Sequence, residues 1–231
     1  CSSFSDLKIG ENLTEICPYT FSKCKALNKL VIPDTIESIR SYSFSFCSGI
    51  KGTLILPDTL SYVGEGAFYG CSGFSDLEIG NGLHEIRSNV FTNCRELSSL
   101  KIPDSIISIC SYAFSYCTGI KGSLIVPDTL QYLGSGAFYS CSGFDGPLII
   151  GSNLSVISLS AFQFCSHFTG KLTIPESVVS IESYAFSNCF GFTSDLIIPD
   201  TVMGVDYSAF SFCSGFNGSL IISSNLVIIS S

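Results

Sequence analysis

Sulfur is what first suggests chemistry in this sequence. Ten of the twelve cysteines fall at positions 1, 24, 47, 71, 94, 117, 141, 165, 189 and 213, always 23 or 24 residues apart. Thiols can ligate a metal, attack an electrophile or pair as disulfides. Zinc is disfavoured, because there is no C-x-x-C and neither His84 nor His167 has a partner at ligand spacing. An even count of cysteines invites a disulfide framework. If each 23–24-residue period is one turn of a coil, however, neighbouring cysteines stack about 5 Å apart with parallel side chains. A bridge there is within reach only if the Cβ atoms turn toward each other, whereas a buried cysteine also serves as a small hydrophobe. The spacing therefore predicts a ladder of reduced thiols.

Two cysteines depart from this ruler. Cys17 and Cys110 follow Ile16 and Ile109, where other periods carry Arg40, Gly64 or Arg87. Both are expected to be partly exposed, and four periods apart they cannot bridge each other within one chain. Free thiols are the plain reading and an intermolecular disulfide the sharper one. His84 and His167 are expected as solvated side chains rather than bases. Serine is abundant, but no serine is marked by a base and an oxyanion site. The row Asp34, Asp58, Asp104, Asp128, Glu176 and Asp200 provides one carboxylate per period. That falls short of the dense ligand set of a calcium loop, so turn chemistry is the expected role. Asn12, Asn153 and Asn217 head N-glycosylation sequons, which are compatible with secretion. No catalytic constellation, cofactor motif or metal site emerges, and the chain is not expected to be an enzyme.

The elements that hold these residues repeat. Written from its cysteine, a unit reads C-x-x-[FIL]-x-(G)-x-L-x-I-P-D-x-[LIV]-x-x-[ILV]-x-x-x-A-F-x-x. L-x-I has a period of two, so its outer residues face one way and its middle residue the other. Pro-Asp turns the chain, Pro by fixing φ and Asp by bonding backbone a residue or two on. The next apolar pair, Leu60 and Val63 for example, returns inward on a second short segment. A-F-x-x-C has the three-to-four spacing of about one helical turn, which places Phe and Cys on one side. A single unit cannot bury its own apolar face, so the units must stack. Residues 24–74 match residues 94–144 better than either matches its neighbours, implying duplication of a three-unit block.

Charge excludes several partners. The net charge is −8, with 10 basic and 12 acidic residues up to Lys121 and Lys171 alone against seven acids beyond it. Without clustered Lys and Arg, nucleic acid and anionic membrane surfaces are not expected as ligands. Apolar runs such as Leu148-Ile149-Ile150 are far shorter than a membrane span. The first residues do not read as a signal peptide, and the sequence reads as a processed chain or an excerpt from a longer array.

The run L-x-I-P-D-x-[LIV]-x-x-[ILV]-x-x-x-A-F-x-x-C, found throughout residues 1–231, resembles the BspA-like leucine-rich repeat. The resemblance implies an α/β solenoid, a right-handed coil of about ten units. A parallel sheet would lie on its concave face, with short helical or irregular turns on the convex side. It also implies a non-catalytic protein of the cell surface or extracellular space that adheres to host cells, matrix proteins or other microbes. The competing reading is a structural or antigenic spacer without a specific ligand. Units one, four, seven and ten depart from the pattern, replacing Pro-Asp with Gly10-Glu11, Gly80-Asn81, Gly151-Ser152 and Ser223-Ser224.

The middle residue of each L-x-I points away from the interior. In order these are Lys8, Val31, Ile55, Glu78, Lys101, Ile125, Ile149, Thr173, Ile197 and Ile221, so the second half presents an aliphatic stripe. Contiguous exposed apolar residues mark contact with something, here a ligand or a second copy, although β-branched residues also suit any strand. The two ends, which carry no polar cap, are a further expected place of self-association.

Overall fold

The computed structural model describes residues 4–222 and 224–230. Cys1, the first mark of the cysteine ruler, lies outside them. The chain is a coil of about nine stacked turns with all strand pairing among the described residues parallel. Most of its turns are joined through three ladders of backbone hydrogen bonds, and Gly170–Lys171 pairs separately with Phe192–Thr193.

The first ladder comes from L-x-I and is interrupted. Thr53–Leu56 pairs with Asp76–Ile79, Leu124–Ile125 with Leu148–Ile149, and Leu196–Ile197 with Leu220–Ile221. Each pair joins a unit whose strand runs into Pro to one whose strand runs into Gly or Ser. The reason is the missing donor of Pro57, Pro127 and Pro199. Where glycine follows instead, Gly80 N–H reaches Leu56 O at 2.8 Å. The continuous sheet expected of L-x-I is thus cut into pairs at every third unit.

The second ladder is fuller. It runs through Glu15–Ile16, Ser38–Ile39 and Tyr62–Val63, then Glu85–Ile86, Ser108–Ile109 and Tyr132–Leu133. Val156–Ile157, Ser180–Ile181, Gly204–Val205 and Ile228–Ile229 complete it. The intervening turn is closed by the backbone of Pro-Asp-x-[ILV]: Leu60 N–H bonds Pro57 O at 3.0 Å, and Leu130 bonds Pro127 likewise.

The third ladder corrects the helical expectation. No helix occurs among the described residues, so the description as an α/β solenoid with helical turns gives way to a β-solenoid with irregular ones. A-F-x-x-C does put Phe and Cys on one side, but by another route. In the second unit Tyr42 and Phe46 adopt positive φ of 56° and 59°, and homologous pairs recur from Tyr19 and Lys23 to Ser208 and Phe212. Alternate N–H groups therefore point in two directions. Those of Tyr42, Phe44 and Phe46 bond Glu65, Ala67 and Tyr69 of the next turn, while Ser43, Ser45 and Cys47 bond back three residues. A helix would have consumed all of these donors internally; here half of them tie one turn to the next.

The core consists of the predicted columns. Phe44, Phe68, Phe91, Phe114, Phe138, Phe162 and Phe186 are fully buried. Their rings stack nearly parallel at 5.3–5.8 Å. A second aromatic column, Phe144, Phe168, Phe192 and Phe216, runs beside it in the later turns and meets it edge-on. The cysteine column lies alongside. Cys47, Cys71, Cys117, Cys141, Cys165, Cys189 and Cys213 each donate Sγ–H, over 3.0–3.1 Å, to the carbonyl of the Phe one turn back. That bond explains a thiol rather than a methyl at this position: the residue is small and apolar, with one weak donor for an otherwise under-bonded carbonyl.

Candidate functional site

The L-x-I middle residues are carried by the interrupted first ladder. Ile125 and Ile149 are register partners on adjacent turns, as are Ile197 and Ile221. Ile125, Ile149 and Ile221 are 57%, 50% and 49% exposed, Thr173 is exposed, and Ile197 is half-buried. Val31 and Ile55, earlier on the same face, are exposed as well. Alongside Ile125 and Ile149 lies a shallow depression of about 360 Å³, bordered by Lys101, Asp104 and Asp128. These groups offer apolar contact flanked by charge.

The remaining sequence candidates are dispersed rather than gathered. Cys17 is exposed and Cys110 half-buried. Cys110 donates Sγ–H to Glu85 Oε1 at 3.1 Å. Burial, with the Glu85 carboxylate second, pushes its thiol up to about 11, so it is a poor thiolate at neutral pH. Burial likewise raises Cys71, Cys94, Cys141 and Cys189 well above the ordinary thiol range. All eleven described cysteines are free. His84 is exposed, and so is His167, whose Nδ1–H donates to Ser142 O at 2.7 Å.

Three members of the acidic row bond backbone, on the next turn rather than within their own. Asp58 Oδ1 accepts the N–H of Asn81 at 2.7 Å, Asp128 that of Ser152 at 2.7 Å, and Asp200 that of Ser224 at 3.1 Å. Each of these acceptors serves a unit lacking Pro-Asp; in the first of them, Gly80 O still closes the turn by accepting Leu83 N–H. The backbone N–H and hydroxyl of Ser152 hold the Asp128 carboxyl below its usual range. Asn153 Nδ2 donates to Asp128 O at 2.7 Å, which gives that sequon a structural reason of its own.

Sequence reasoning missed two groupings. Tyr62 lies between the guanidiniums of Arg40 and Arg87, 5.1 and 4.7 Å from its ring centroid. Arg40 pairs with Glu15 and Arg87 with Glu85. The signal was available, since these residues occupy one ladder on successive units. The other grouping is a run of exposed aromatic rings on the A-F turns, signalled by Tyr and Phe two residues before or after the recurrent Phe.

With this geometry in view, the comparisons are informative. The model of the BspA-type leucine-rich repeat region matches in six copies over residues 1–121, 52–169 and 146–231. Among solved structures, a leucine-rich repeat protein of T. pallidum has a TM-score of 0.62 at 23% identity, covering 68% of this chain and 72% of that one. The pneumococcal vaccine antigen PcpA gives 0.54 at 19%, covering 96% and 71%. A leucine-rich cell surface protein of Faecalibacterium prausnitzii gives 0.52 at 21%, covering 93% and 78%. At these identities the likeness is one of fold. No curated protein matches the chain.

Proposed function

This chain belongs to the BspA-type leucine-rich-repeat family, and we propose that it is a non-catalytic adhesion module of a cell-surface or secreted protein. Its partner on this reading is a protein of a host cell, of extracellular matrix or of another microbe. The observation that carries the reading is the half-exposed pairing of Ile125 with Ile149, continued by Ile221. A sheet face meant only for water has no use for such side chains. Support for a surface location comes from the similar proteins, one described as a cell surface protein and one as a vaccine antigen. No helix among the described residues is long and apolar enough to cross a membrane.

Replacing Ile125, Ile149, Ile197 and Ile221 together with Ala removes contact area worth about 2–4 kcal/mol in total. Binding to epithelial cells and to immobilised matrix proteins should then fall at least about thirtyfold, with the unfolding midpoint unchanged. Unchanged binding removes the stripe from the interface. A wild-type chain that binds neither surface supports the spacer reading, and a concentration-dependent mass in light scattering that the replacements abolish assigns the stripe to self-association.

A further inference from the structure

Every A-F turn holds two residues at positive φ, four positions apart. Glycine adopts that conformation freely and Asn tolerates it, while a bulky side chain there is an outlier. The chain uses the inexpensive residues at Gly66, Gly70, Asn89, Asn93, Gly136 and Asn188. On the fifth and seventh turns it instead holds Tyr112, Tyr116 and Phe164 at φ of 57°, 60° and 62°. Bulky side chains also take this conformation at Tyr19, Tyr42, Phe46, Tyr184 and Phe212, so what sets this stretch apart is the clustering of its rings and their surroundings.

These rings form one patch. Tyr139 sits at its centre, with centroids 5.4 Å from Tyr116, 5.5 Å from Phe164 and 6.5 Å from Tyr112, all edge-on. Tyr112, Tyr116 and Phe164 are 41%, 41% and 38% exposed. Tyr112 lies over Gly136, where an added Cβ would come within 2.4 Å of the ring, so the glycine seats the ring on the turn above.

The surroundings are uncharged. Residues 111–118, 135–142 and 159–166 contain Ser, Thr, Gln and small or apolar residues, with no Asp, Glu, Lys, Arg or His. The carboxylate of Glu182 on the next turn accepts the N–H of Leu159. In the earlier copy of the duplicated block, Lys23, Arg40 and Glu65 stand where the later copy has Asn93, Cys110 and Ser135. There the Tyr42 phenol donates to Glu65. The later copy alone presents rings framed by hydroxyls and amides.

An anionic ligand finds no counter-charge within these three segments, and the Glu182 carboxylate beside them is engaged by Leu159 N–H. A neutral sugar matches this face, being apolar on its C–H face and hydroxylated at its edge. We propose that the face formed by Tyr112, Tyr116, Tyr139 and Phe164 binds a neutral oligosaccharide. Sugar rings lie on the exposed aromatic rings, and their hydroxyls bond the phenols and neighbours such as Ser140 and Gln163. Three turns span about 10 Å between the outer strands, room for two or three sugar units. The site is on a segment separate from the isoleucine stripe and does not depend on it.

The test is native affinity electrophoresis of the whole chain in gels containing a β-glucan, a mannan or a galactan, with heparin as the charged control. Retardation is expected in at least one neutral gel and not in heparin. Tyr116→Asn with Phe164→Asn places at each position a residue suited to its φ, so the unfolding midpoint should hold or rise. Retardation should weaken at least about tenfold, while the isoleucine replacements leave it unchanged. No retardation in any neutral gel overturns the proposal, as does retardation that survives the double replacement. A fall in midpoint that accounts for the lost retardation assigns the rings to packing and overturns it too.

Discussion

Phe138→Ala tests the stacked core at its centre. Phe138 is fully buried. It lies between Phe114 at 5.4 Å and Phe162 at 5.8 Å, both within 2° of parallel, and Phe144 meets it edge-on at 6.4 Å. Removing a buried Phe costs about 3–5 kcal/mol in transfer and cavity terms, a range that already contains part of the lost ring contacts. Phe21 provides the control. It is half-buried and stacks on Phe44 alone, at 5.2 Å, so Phe21→Ala should cost about 1–2 kcal/mol. Urea unfolding followed by circular dichroism would give both values from the shift in midpoint. Because each turn contacts only its neighbours, hydrogen exchange in Phe138→Ala should accelerate most at the amides of Phe114, Phe138 and their flanking turns. Equal losses at the two positions, or a loss below about 1 kcal/mol at Phe138, would refute a core built from continuous columns.

Three further outcomes follow from the same geometry. Brief alkylation of the native chain, read by peptide mapping, should modify Cys17 first and Cys110 slowly, leaving Cys71, Cys94 and Cys141 untouched until the chain unfolds; ready native labelling of Cys141 would contradict its place in the core. The Asp128 carboxyl is lowered by Ser152 in the folded chain, so its contribution is present above the ordinary aspartate range near about 3.9 and is lost as pH falls through the lower folded value. Urea midpoints between pH 6 and pH 3 should accordingly fall more steeply for the wild type than for Asp128→Asn, and equal slopes would dismiss the Asp128–Ser152 contact. At Gly143 an added Cβ would lie 2.2 Å from the Thr118 carbonyl, whereas at Gly52 it meets nothing; Gly143→Ala should lower stability by about 2–3 kcal/mol and Gly52→Ala, penalised only by its positive φ, by about 1 kcal/mol, as thermal melts would register.

Period and columns were legible because they rest on side-chain burial, which residue type reports directly. The recurrent Leu, Phe and Cys are inside, and Ile125 and Ile149 are outside, as alternation requires. What misled was backbone conformation. A-F-x-x-C has helical spacing, and nothing in Tyr42 or Phe46 announces positive φ; the announcement came from Gly66, Gly70, Asn89 and Asn93, which hold the same positions in other units. The L-x-I sheet was overestimated because a hydrophobic pattern does not register that Pro57 or Pro127 cannot donate to a neighbour. Asp58 and Asp128 were rightly read as turn residues, yet the amide each one meets lies 23 or 24 residues away on the next turn, beyond any local rule. The aromatic face needed three units assembled before Tyr112, Tyr116, Tyr139 and Phe164 became neighbours.

The distance between spin labels tests the stacking itself. Lys8, Glu78 and Thr173 are exposed on the first, fourth and eighth units, and each can be replaced by a labelled cysteine in a Cys17→Ser, Cys110→Ser background. Parallel turns in register advance about 4.8 Å each, which places Glu78 and Thr173 about 19 Å apart over four turns and Lys8 and Thr173 about 34 Å apart over seven. Two narrow distributions near that ratio are the predicted result. Broad distributions, or a longer sequence separation that does not lengthen the distance, would contradict a coil of stacked turns.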